Sequence, residues 1–283
     1  GLDGYKVLVL ADCDVLSASV VEKVNAFQAA GGLLVGDDRL CPAVKPDILL
    51  EPYTRTKKAD EDKQALVARA GTLSAALEGR YRAPVAAYPA DVLPYLRRYG
   101  SSDYVFVVND CREFGNYVGR HGLVMEQGMF VASRVTLRRN GGRVYDLVEH
   151  REVAATSESG TLSIPVELEP GGGRLFLITG TPVETVAVQA PRTAVCGQEM
   201  EARVVVTDRE GNPVDAVIPL ELRILDPDGR RAEFSGFHAA PGGVLDLRVA
   251  FAANDVPGVW TIEARELAAG TVTRHFVRLQ PGA

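Results

Sequence analysis

Two short apolar runs near the start of the chain flank a segment with helical periodicity. Residues 6–10 (Lys-Val-Leu-Val-Leu) and 33–35 (Leu-Leu-Val) are almost continuously apolar, which is typical of strands buried on both faces. Between them, apolar residues recur three or four positions apart over residues 20–27, after Ser17 as a candidate helix N-cap. Gly31-Gly32 suits the end of that helix. Strand, helix and strand together predict a right-handed parallel unit.

The same segment continues with weaker signals. Residues 36–56 contain three prolines and predict an irregular excursion. A second helix is predicted over residues 60–77, with Leu66, Val67, Ala70 and Leu73 on one face, and residues 84–88 are predicted to be a last short strand. We therefore expect a parallel α/β module over residues 1–95.

From about Leu96 the apolar period changes to two, which favours strands with one buried face. Asn140-Gly141-Gly142 predicts a hairpin turn. The predicted strands cover residues 104–108, 130–137, 143–147, 162–168 and 174–178. Short strands separated by turn signals predict a small β-sandwich over residues 96–181.

A third block, residues 182–283, has the clearest pattern. Turn signals such as Asp226-Pro227-Asp228-Gly229 separate alternating apolar runs, and Trp260, the single tryptophan, is a predicted core residue. The predicted strands cover residues 184–189, 199–206, 217–225, 244–251, 258–265 and 271–279. This pattern predicts an immunoglobulin-like sandwich, so the whole chain is expected to be multi-domain, α/β followed by all-β.

Composition narrows the classes of partner. The formal net charge is -6, and the sequence shows no basic stripe that would neutralise phosphates, so we expect no nucleic-acid binding. No apolar run approaches the roughly 20 residues of a membrane helix, so we expect no membrane span. The chain enters a strand soon after Gly1 with no leader, which indicates an internal start and leaves the compartment open, extracytoplasmic or cytoplasmic.

The four cysteines, Cys13, Cys41, Cys111 and Cys196, form no Cys-x-x-Cys pair. Their spacing disfavours a zinc knuckle or a redox motif, and small half-buried thiols are the preferred interpretation. One disulfide remains open if the protein is exported. The four histidines are isolated from one another, so no metal site is expected.

The first block resembles a known family. Residues 5–10, Val15-Leu16-Ser17, residues 24–27 and residues 30–35 are similar to the later part of the glutamine-amidotransferase-like domain beside the barrel of β-galactosidase-type glycoside hydrolases, often called a trimerisation domain. This resemblance implies a partial flavodoxin-like fold, since the family has more parallel strands before this point. Either an upstream half supplies those strands or another chain completes the sheet.

The later blocks extend the resemblance. Residues 104–109, Asp146-Leu147 and residues 174–178 resemble the small β-domain that follows in such enzymes. Residues 208–214, residues 225–229 and residues 257–262 resemble a macroglobulin-type or similar immunoglobulin-like module. Modules of that type space domains or bind partners, so this resemblance implies no chemistry of its own.

Four acidic residues are the candidate ligand site. Asp12 and Asp14 follow the first predicted strand, and Asp37 and Asp38 follow the second. Both pairs should lie at the carboxyl edge of the sheet, where open α/β folds bind ligands. A divalent cation or a polar ligand is one interpretation. The preferred one is turn and cap chemistry, because aspartate accepts hydrogen bonds from free backbone N–H groups.

No catalytic residue is predicted. The sequence lacks the Gly-x-Cys-x-Gly elbow of active amidotransferases, and Cys13 is flanked by two acids that disfavour a thiolate. Glycoside hydrolysis needs two paired carboxylates, and Glu113, Glu126 and Glu149 show no pairing in the sequence. The aromatic residues Tyr117, Phe130 and Tyr145 are more typical of a core or a strand edge than of a sugar site.

The expected function is that of a non-catalytic accessory or oligomerisation region of a larger carbohydrate-active enzyme, with no cofactor. Its expected partners are the upstream catalytic domain of the parent chain, further copies of itself and carbohydrate. Two alternatives remain: a glycan- or protein-binding adhesion module, and a cysteine-dependent amidotransferase-like hydrolase using Cys13 or Cys41.

Overall fold

A computed structural model describes residues 1–56, 58–118 and 124–282. The chain divides into two compact units, of which the first comprises Gly1–Ala83 and Glu113–Gln127 and the second Pro84–Arg112 and Gly128–Ala283. Strands account for 47% of the chain and helices for 11%. The protein is therefore mainly β.

The elements follow one another along the chain. The first half contains β1 (Val7–Leu10), α1 (Ala18–Ala29), β2 (Leu33–Gly36), β3 (Ile48–Leu49), α2 (Ala59–Leu77), β4 (Val85–Tyr88), β5 (Val92–Tyr99), β6 (Ser102–Asn109), β7 (Arg112–Val118), β8 (Val124–Gly128), β9 (Val131–Arg138) and β10 (Arg143–Asp146). The second half contains β11 (Arg151–Val153), β12 (Thr156–Glu158), β13 (Thr161–Leu168), β14 (Gly173–Thr179), β15 (Thr185–Gln189), β16 (Thr193–Val195), β17 (Glu199–Thr207), β18 (Val217–Leu225), β19 (Gly236–Pro241), β20 (Val244–Ala250), β21 (Gly258–Glu266) and β22 (Val272–Gln280).

The first unit is built on a small parallel sheet in the order β1-β2-β3, with Val7 opposite Leu33. Val24 of α1 packs with Leu34 in an apolar cluster that also contains Leu40. Strands β7 and β8 form a separate two-stranded sheet. The predicted strand-helix-strand unit is thus present, with α1 beginning after Ser17 as expected.

The expectation of a flavodoxin-like α/β module is wrong. The parallel sheet has three strands, and β3 is two residues long because Pro46 and Pro52 flank it closely. Most of α2 is exposed, including Leu66 and Val67 on its predicted apolar face. The predicted last strand, β4, pairs antiparallel with β9 in the second unit instead. Parallel sheets of this class need more strands, covered by helices on both faces.

The second unit contains the two predicted β-sandwiches. In the first, the sheet β11-β10-β14-β6-β5 faces the sheet β12-β13-β9-β4. Their inward side chains form a core that includes Val105, Val135, Ile164 and Phe176. The strict alternation of buried and exposed positions along β9 shows why the period of two identified this domain.

The predicted hairpin at residues 140–142 is a crossover between sheets. Strand β9 pairs with β13 and β4, whereas β10 pairs with β14 and β11. Gly142 has φ 140°, and a Cβ there would lie 2.8 Å from Ile178 Cγ2. Glycine at position 142 thus lets the chain pass close to β14 as it crosses from one sheet to the other. Turn residues alone do not distinguish a hairpin from such a crossover.

The second sandwich matches its predicted strands closely. The sheet β15-β17-β20 faces the sheet β16-β22-β21-β18-β19, a three-plus-five arrangement of the immunoglobulin-like type in which β16 runs parallel to β22. Trp260 is buried, as predicted, with its ring edge-on to Phe251 at 5.1 Å and its indole N–H donating to Val256 O. Strands β16 and β19 were not among the predicted strands.

Within the described residues, neither helix has the length and the apolar character that crossing a membrane requires.

Candidate functional site

The predicted acidic site centres on Asp37, whose side chain is buried at the carboxyl end of β2. Its Oδ2 accepts a hydrogen bond from Asp12 N at 2.8 Å, and its Oδ1 accepts one from Arg39 N at 3.2 Å. The two carboxylate oxygens therefore stabilise the loops after β1 and β2. This is the turn chemistry that the sequence favoured.

Asp12 lies beside Asp37 but turns its carboxylate to solvent. Asp12 Oδ1 is 3.1 Å from Arg39 Nη1, and its backbone has φ 51°, a conformation that aspartate tolerates. An exposed ion pair of this kind contributes about 0–1 kcal/mol. Asp14 and Asp38 are exposed, and among the described residues no side-chain hydrogen bond or ion pair joins them to Asp12 or Asp37. Nowhere in the described ranges do three Asp, Glu, His or Cys side chains gather as metal ligands would.

A cleft of about 310 Å³ opens next to Asp12 and Asp37, between the ends of the parallel strands and α2. Arg69 crosses it from α2, with its guanidinium 5.2 Å from the ring centre of Tyr53, and it donates hydrogen bonds to the carbonyls of Glu51 and Pro52. Desolvation is the largest cause that raises the pKa of Tyr53, and a hydrogen bond with Asp62 raises it further. The cleft can admit a small polar molecule, but its polar groups already hold the surrounding loops.

Neither Arg69 nor Tyr53 was identified from the sequence. The helical period of residues 60–77 marks only an apolar face that does not include Arg69, and Tyr53 lies in an irregular stretch without a motif.

The two candidate nucleophiles, Cys13 and Cys41, are free and half-buried thiols. Their backbones are joined by a hydrogen bond from Cys41 N to Cys13 O at 2.8 Å. Across the part of the chain that the structure describes, neither thiol is hydrogen-bonded to a histidine, which a thiolate nucleophile would need as its base. The geometry offers nothing that favours the hydrolase hypothesis.

The candidate carboxylates for glycoside hydrolysis are dispersed. Glu149 is held by two arginines, Arg151 at 2.7 Å and Arg174 at 3.1 Å, and the hydrogen bond from Arg151 is the main cause of its lowered pKa. A carboxylate held ionised in this way is unsuited to act as a general acid. Glu113 is exposed. The side chains of Glu126 and Tyr117, like all of His121, lie outside the described residues.

The remaining candidate side chains have structural surroundings. Tyr145 is 1% exposed in the core, whereas Phe130 lies at the surface. His150 Nδ1 lies 2.9 Å from Leu267 O, and His275 Nε2 lies 3.4 Å from Pro191 O. His238 Nε2 is buried with no hydrogen-bond partner among the described residues. No two of these histidines form a site together.

The most elaborate arrangement in the second unit joins its two sandwiches. Tyr104 on β6 donates its hydroxyl proton to Val217 O at 2.8 Å and accepts from Val217 N at 2.6 Å. The hydroxyl of Tyr145 accepts from Val183 N at 2.8 Å. Burial raises the pKa of Tyr104 to about 12 and also raises that of Tyr145. Both rings reach from the first sandwich to the backbone of the second.

Further polar contacts surround these two tyrosines. Asp215 Oδ2 accepts from Ser101 N at 2.8 Å, and Asp215 O accepts from Ser102 Oγ at 2.7 Å. Gly100 has φ 52°, and a Cβ there would lie 2.2 Å from Asp215 Oδ1, so a larger residue would strain the backbone and displace this carboxylate.

Apolar side chains fill the space between these contacts. Tyr145 and Leu177 of the first sandwich share one buried cluster with Val183, Val204 and Ile218 of the second. Side chains on the outer face of the first sandwich therefore form part of the hydrophobic core of the second. We call this set of contacts the sandwich junction; it consists of Ser101, Ser102, Tyr104, Tyr145, His150, Leu177, Val183, Asp215, Val217 and Leu267.

No protein-family model matches the chain, and no curated protein matches it.

Among solved structures, the chain is similar to three β-rich proteins at low identity. The PKD domain of an M14-like peptidase from Thermoplasmatales archaeon SCGC AB-540-F20 is 18% identical over 34% of this chain and 93% of that chain, with a TM-score of 0.24. The adhesin InvE of Yersinia pseudotuberculosis is 12% identical over 69% of this chain and 58% of that chain, with a TM-score of 0.30. Salmonella alpha-2-macroglobulin is 12% identical over 68% of this chain and 12% of that chain, with a TM-score of 0.30. These values assign neither a fold family nor a function.

Proposed function

We propose that this chain is a non-catalytic accessory region of a larger carbohydrate-active enzyme, in which the second unit acts as a rigid spacer. The observation that carries the proposal is the sandwich junction. Domains joined by small polar interfaces move relative to each other by default. Here tyrosine hydroxyls bind backbone groups across the junction and one apolar cluster runs through it, so the two sandwiches keep one orientation.

The inference that the parent protein is a carbohydrate-active enzyme comes from the sequence. Residues 104–109 and 174–178 resemble the β-domain of β-galactosidase-type enzymes, and residues 208–214 resemble a macroglobulin-type module. A rigid spacer in such an enzyme would dock against the parent's catalytic domain, or hold copies of the enzyme together, at a fixed distance. The acid and the nucleophile of the reaction would lie on that catalytic domain.

Two measurements on the purified chain test the proposal. Residual dipolar couplings should fit one alignment tensor for both sandwiches, since the junction fixes their orientation; two independent tensors would disprove the spacer. Hydrolysis of a panel of aryl glycosides, including a β-galactoside, should not exceed the buffer rate. Clear turnover would show that the chain is an enzyme in its own right.

A glycan- or protein-binding module is the second candidate, and one observation favours it. Tyr95 and Phe106 project from the outer face of the first sandwich, 52% and 42% exposed, with ring centres 6.4 Å apart. Leu93 and Val108 extend this patch along the same two strands. Exposed aromatic residues of this kind mark binding surfaces more often than chance.

Arg97 helps to distinguish glycan from protein. Its guanidinium lies 4.6 Å from the ring centre of Tyr95, and therefore covers a face on which a sugar would stack. A glycan array should remain blank if the patch serves protein docking. Binding that is lost in Tyr95→Ala and kept in Tyr88→Ala, a variant at another exposed tyrosine, would identify it as a sugar site.

A further inference from the structure

One edge of the parallel sheet in the first unit is unpaired among the described residues. Strand β1 pairs with β2 along one side only. Leu33 N donates to Lys6 O at 2.9 Å, and in a parallel ladder alternate residues direct their backbone groups to the same side. Leu8 and Leu10 thus face β2, whereas Val7 and Val9 direct their N–H and C=O groups to the open side.

This edge lacks the devices that protect some other sheet edges of the chain, as does edge strand β15, which has neither proline nor a charged residue. Edge strand β5 contains Pro94, which has no N–H, and two arginines, and edge strand β19 ends at Pro241. Edge strand β3, at the other side of the same sheet, has only two residues. By contrast, β1 is a four-residue apolar run with neither proline nor charge. Unprotected apolar edges of this kind are templates for pairing with another strand.

A groove lies beside this edge. Leu8 and Leu10 of β1, with Val24 and Phe27 of α1, line a cavity of about 690 Å³. Val20 forms part of its wall and is 38% exposed. An occupant with apolar side chains on one face would cover Leu8, Leu10 and Val20, which are still partly exposed, while its backbone met β1.

The charges at the groove indicate the chemistry of the occupant. Lys6 and Lys23 line it together with one acid, Asp3, so positive charge prevails, and neither ammonium forms an ion pair with any residue in the described ranges. A carboxylate on the occupant would compensate them. A second copy of the chain, paired edge to edge about a two-fold axis, would instead bring four lysines together, and like charges facing each other disfavour that arrangement.

We propose that the free edge of β1 and its groove bind an extended, mainly apolar β-strand that carries acidic residues and comes from another polypeptide. Main-chain hydrogen bonds to Val7 and Val9 provide the pairing, and the apolar groove selects the side chains on one face of the incoming strand. This surface is independent of the sandwich junction, so the proposal stands whether or not the second unit is a spacer.

The test uses the full chain and a synthetic peptide of about eight residues, the length of an ordinary strand. The probe alternates valine and threonine, with glutamate at each end and both termini blocked. We expect amide hydrogen exchange at Val7 and Val9 to slow by about tenfold at saturation, because each amide gains a hydrogen-bond acceptor. Exchange at Leu33, whose N–H already donates to Lys6 O, should not change.

Three controls separate strand pairing from other events. The same peptide with N-methylated alternate valines should not bind, since it cannot complete the ladder. Val20→Glu on the groove wall should weaken binding by about tenfold or more, whereas Val67→Glu, on an exposed face of α2, should leave it unchanged.

Each remaining outcome overturns the proposal. Unchanged exchange at a peptide concentration of about 1 mM would show that the edge does not accept a strand. Equal binding of the N-methylated peptide would identify an apolar groove without pairing. A dimer in sedimentation, with Val7 and Val9 already protected in the absence of peptide, would make a second copy the occupant.

Discussion

Replacing Tyr104 by phenylalanine removes one oxygen atom from the sandwich junction and little else. That oxygen donates to Val217 O and accepts from Val217 N. Without it, one backbone donor and one backbone acceptor lose their partner in a place that water reaches poorly. An unsatisfied buried group costs about 1–3 kcal/mol. We expect Tyr104→Phe to lower the free energy of unfolding by that amount.

Urea denaturation followed by the fluorescence of Trp260 measures this loss. Trp260 is the single tryptophan and lies in the second sandwich, in a cluster separate from the junction. A shift of its transition therefore reports a loss that originates on the first sandwich. For a unit of this size, each kcal/mol also lowers Tm by about 2–4 °C.

The matched control is Tyr95→Phe, which removes a hydroxyl from a half-exposed tyrosine on the neighbouring strand. Surface changes of this kind alter stability by less than about 0.5 kcal/mol. If Tyr104→Phe were no more destabilising than Tyr95→Phe, the hydrogen bonds at Val217 would carry no net energy. The rigid-spacer interpretation would then rest on the apolar cluster alone.

Three further predictions follow from described contacts. Because burial raises the pKa of Tyr104 from 10.0 to about 12, its stabilising effect should be complete below about pH 10 and be lost between pH 10 and 12. Allowing for partial exposure, alkaline urea titrations should show a loss on the order of 1–2 kcal/mol larger than in Tyr104→Phe, which keeps only the contribution of Tyr145. Gly100→Ala should destabilise the second unit by about 1–2 kcal/mol in thermal melts, because besides its unfavourable φ it displaces the Asp215 carboxylate from Ser101 N, whereas Gly211→Ala, with positive φ but free space, should cost about 1 kcal/mol. Asp37→Asn should speed amide exchange in the loops after β1 and β2, at a cost of about 1–2 kcal/mol, while Asp38→Asn should leave exchange unchanged.

The second sandwich was predictable because its information is local. Asp226 accepts hydrogen bonds from Asp228 N and Arg230 N at 2.9 and 2.8 Å, so the turn is specified by residues within it. Along β18, buried and half-buried positions alternate without exception. Strand β19 escaped notice because its inward positions are Gly236, His238 and Ala240, which carry little apolar signal; its pairing with β18 defines it.

The α/β expectation failed for the opposite reason. The strand-helix-strand pattern of β1, α1 and β2 was read correctly, but a local pattern does not state how many strands follow. Residues 85–88 have the composition of a strand in any sheet, and their partner is β9, about 50 positions away. A family resemblance over roughly the first 35 residues supplied a fold that later pairing did not continue.

The sandwich junction was beyond sequence reasoning. Tyr104 and Val217 are separated by 113 positions, and nothing near either residue indicates the other. At the acidic edge, Asp12 and Asp37 did meet as expected, because the carboxyl ends of neighbouring parallel strands are always adjacent. Proximity followed from topology, whereas the use of Asp37 as an acceptor for backbone N–H groups followed from its burial.

The shared apolar face determines how this chain can be divided. Strand pairing assigns Tyr145 and Leu177 to the first sandwich, yet both belong to the core of the second. A fragment that ends after β14 would expose these side chains to water, and a fragment that begins at β15 would lose the base of its own interior. We therefore expect that neither sandwich folds stably without the other, and that a protein engineer would have to move the two as a pair.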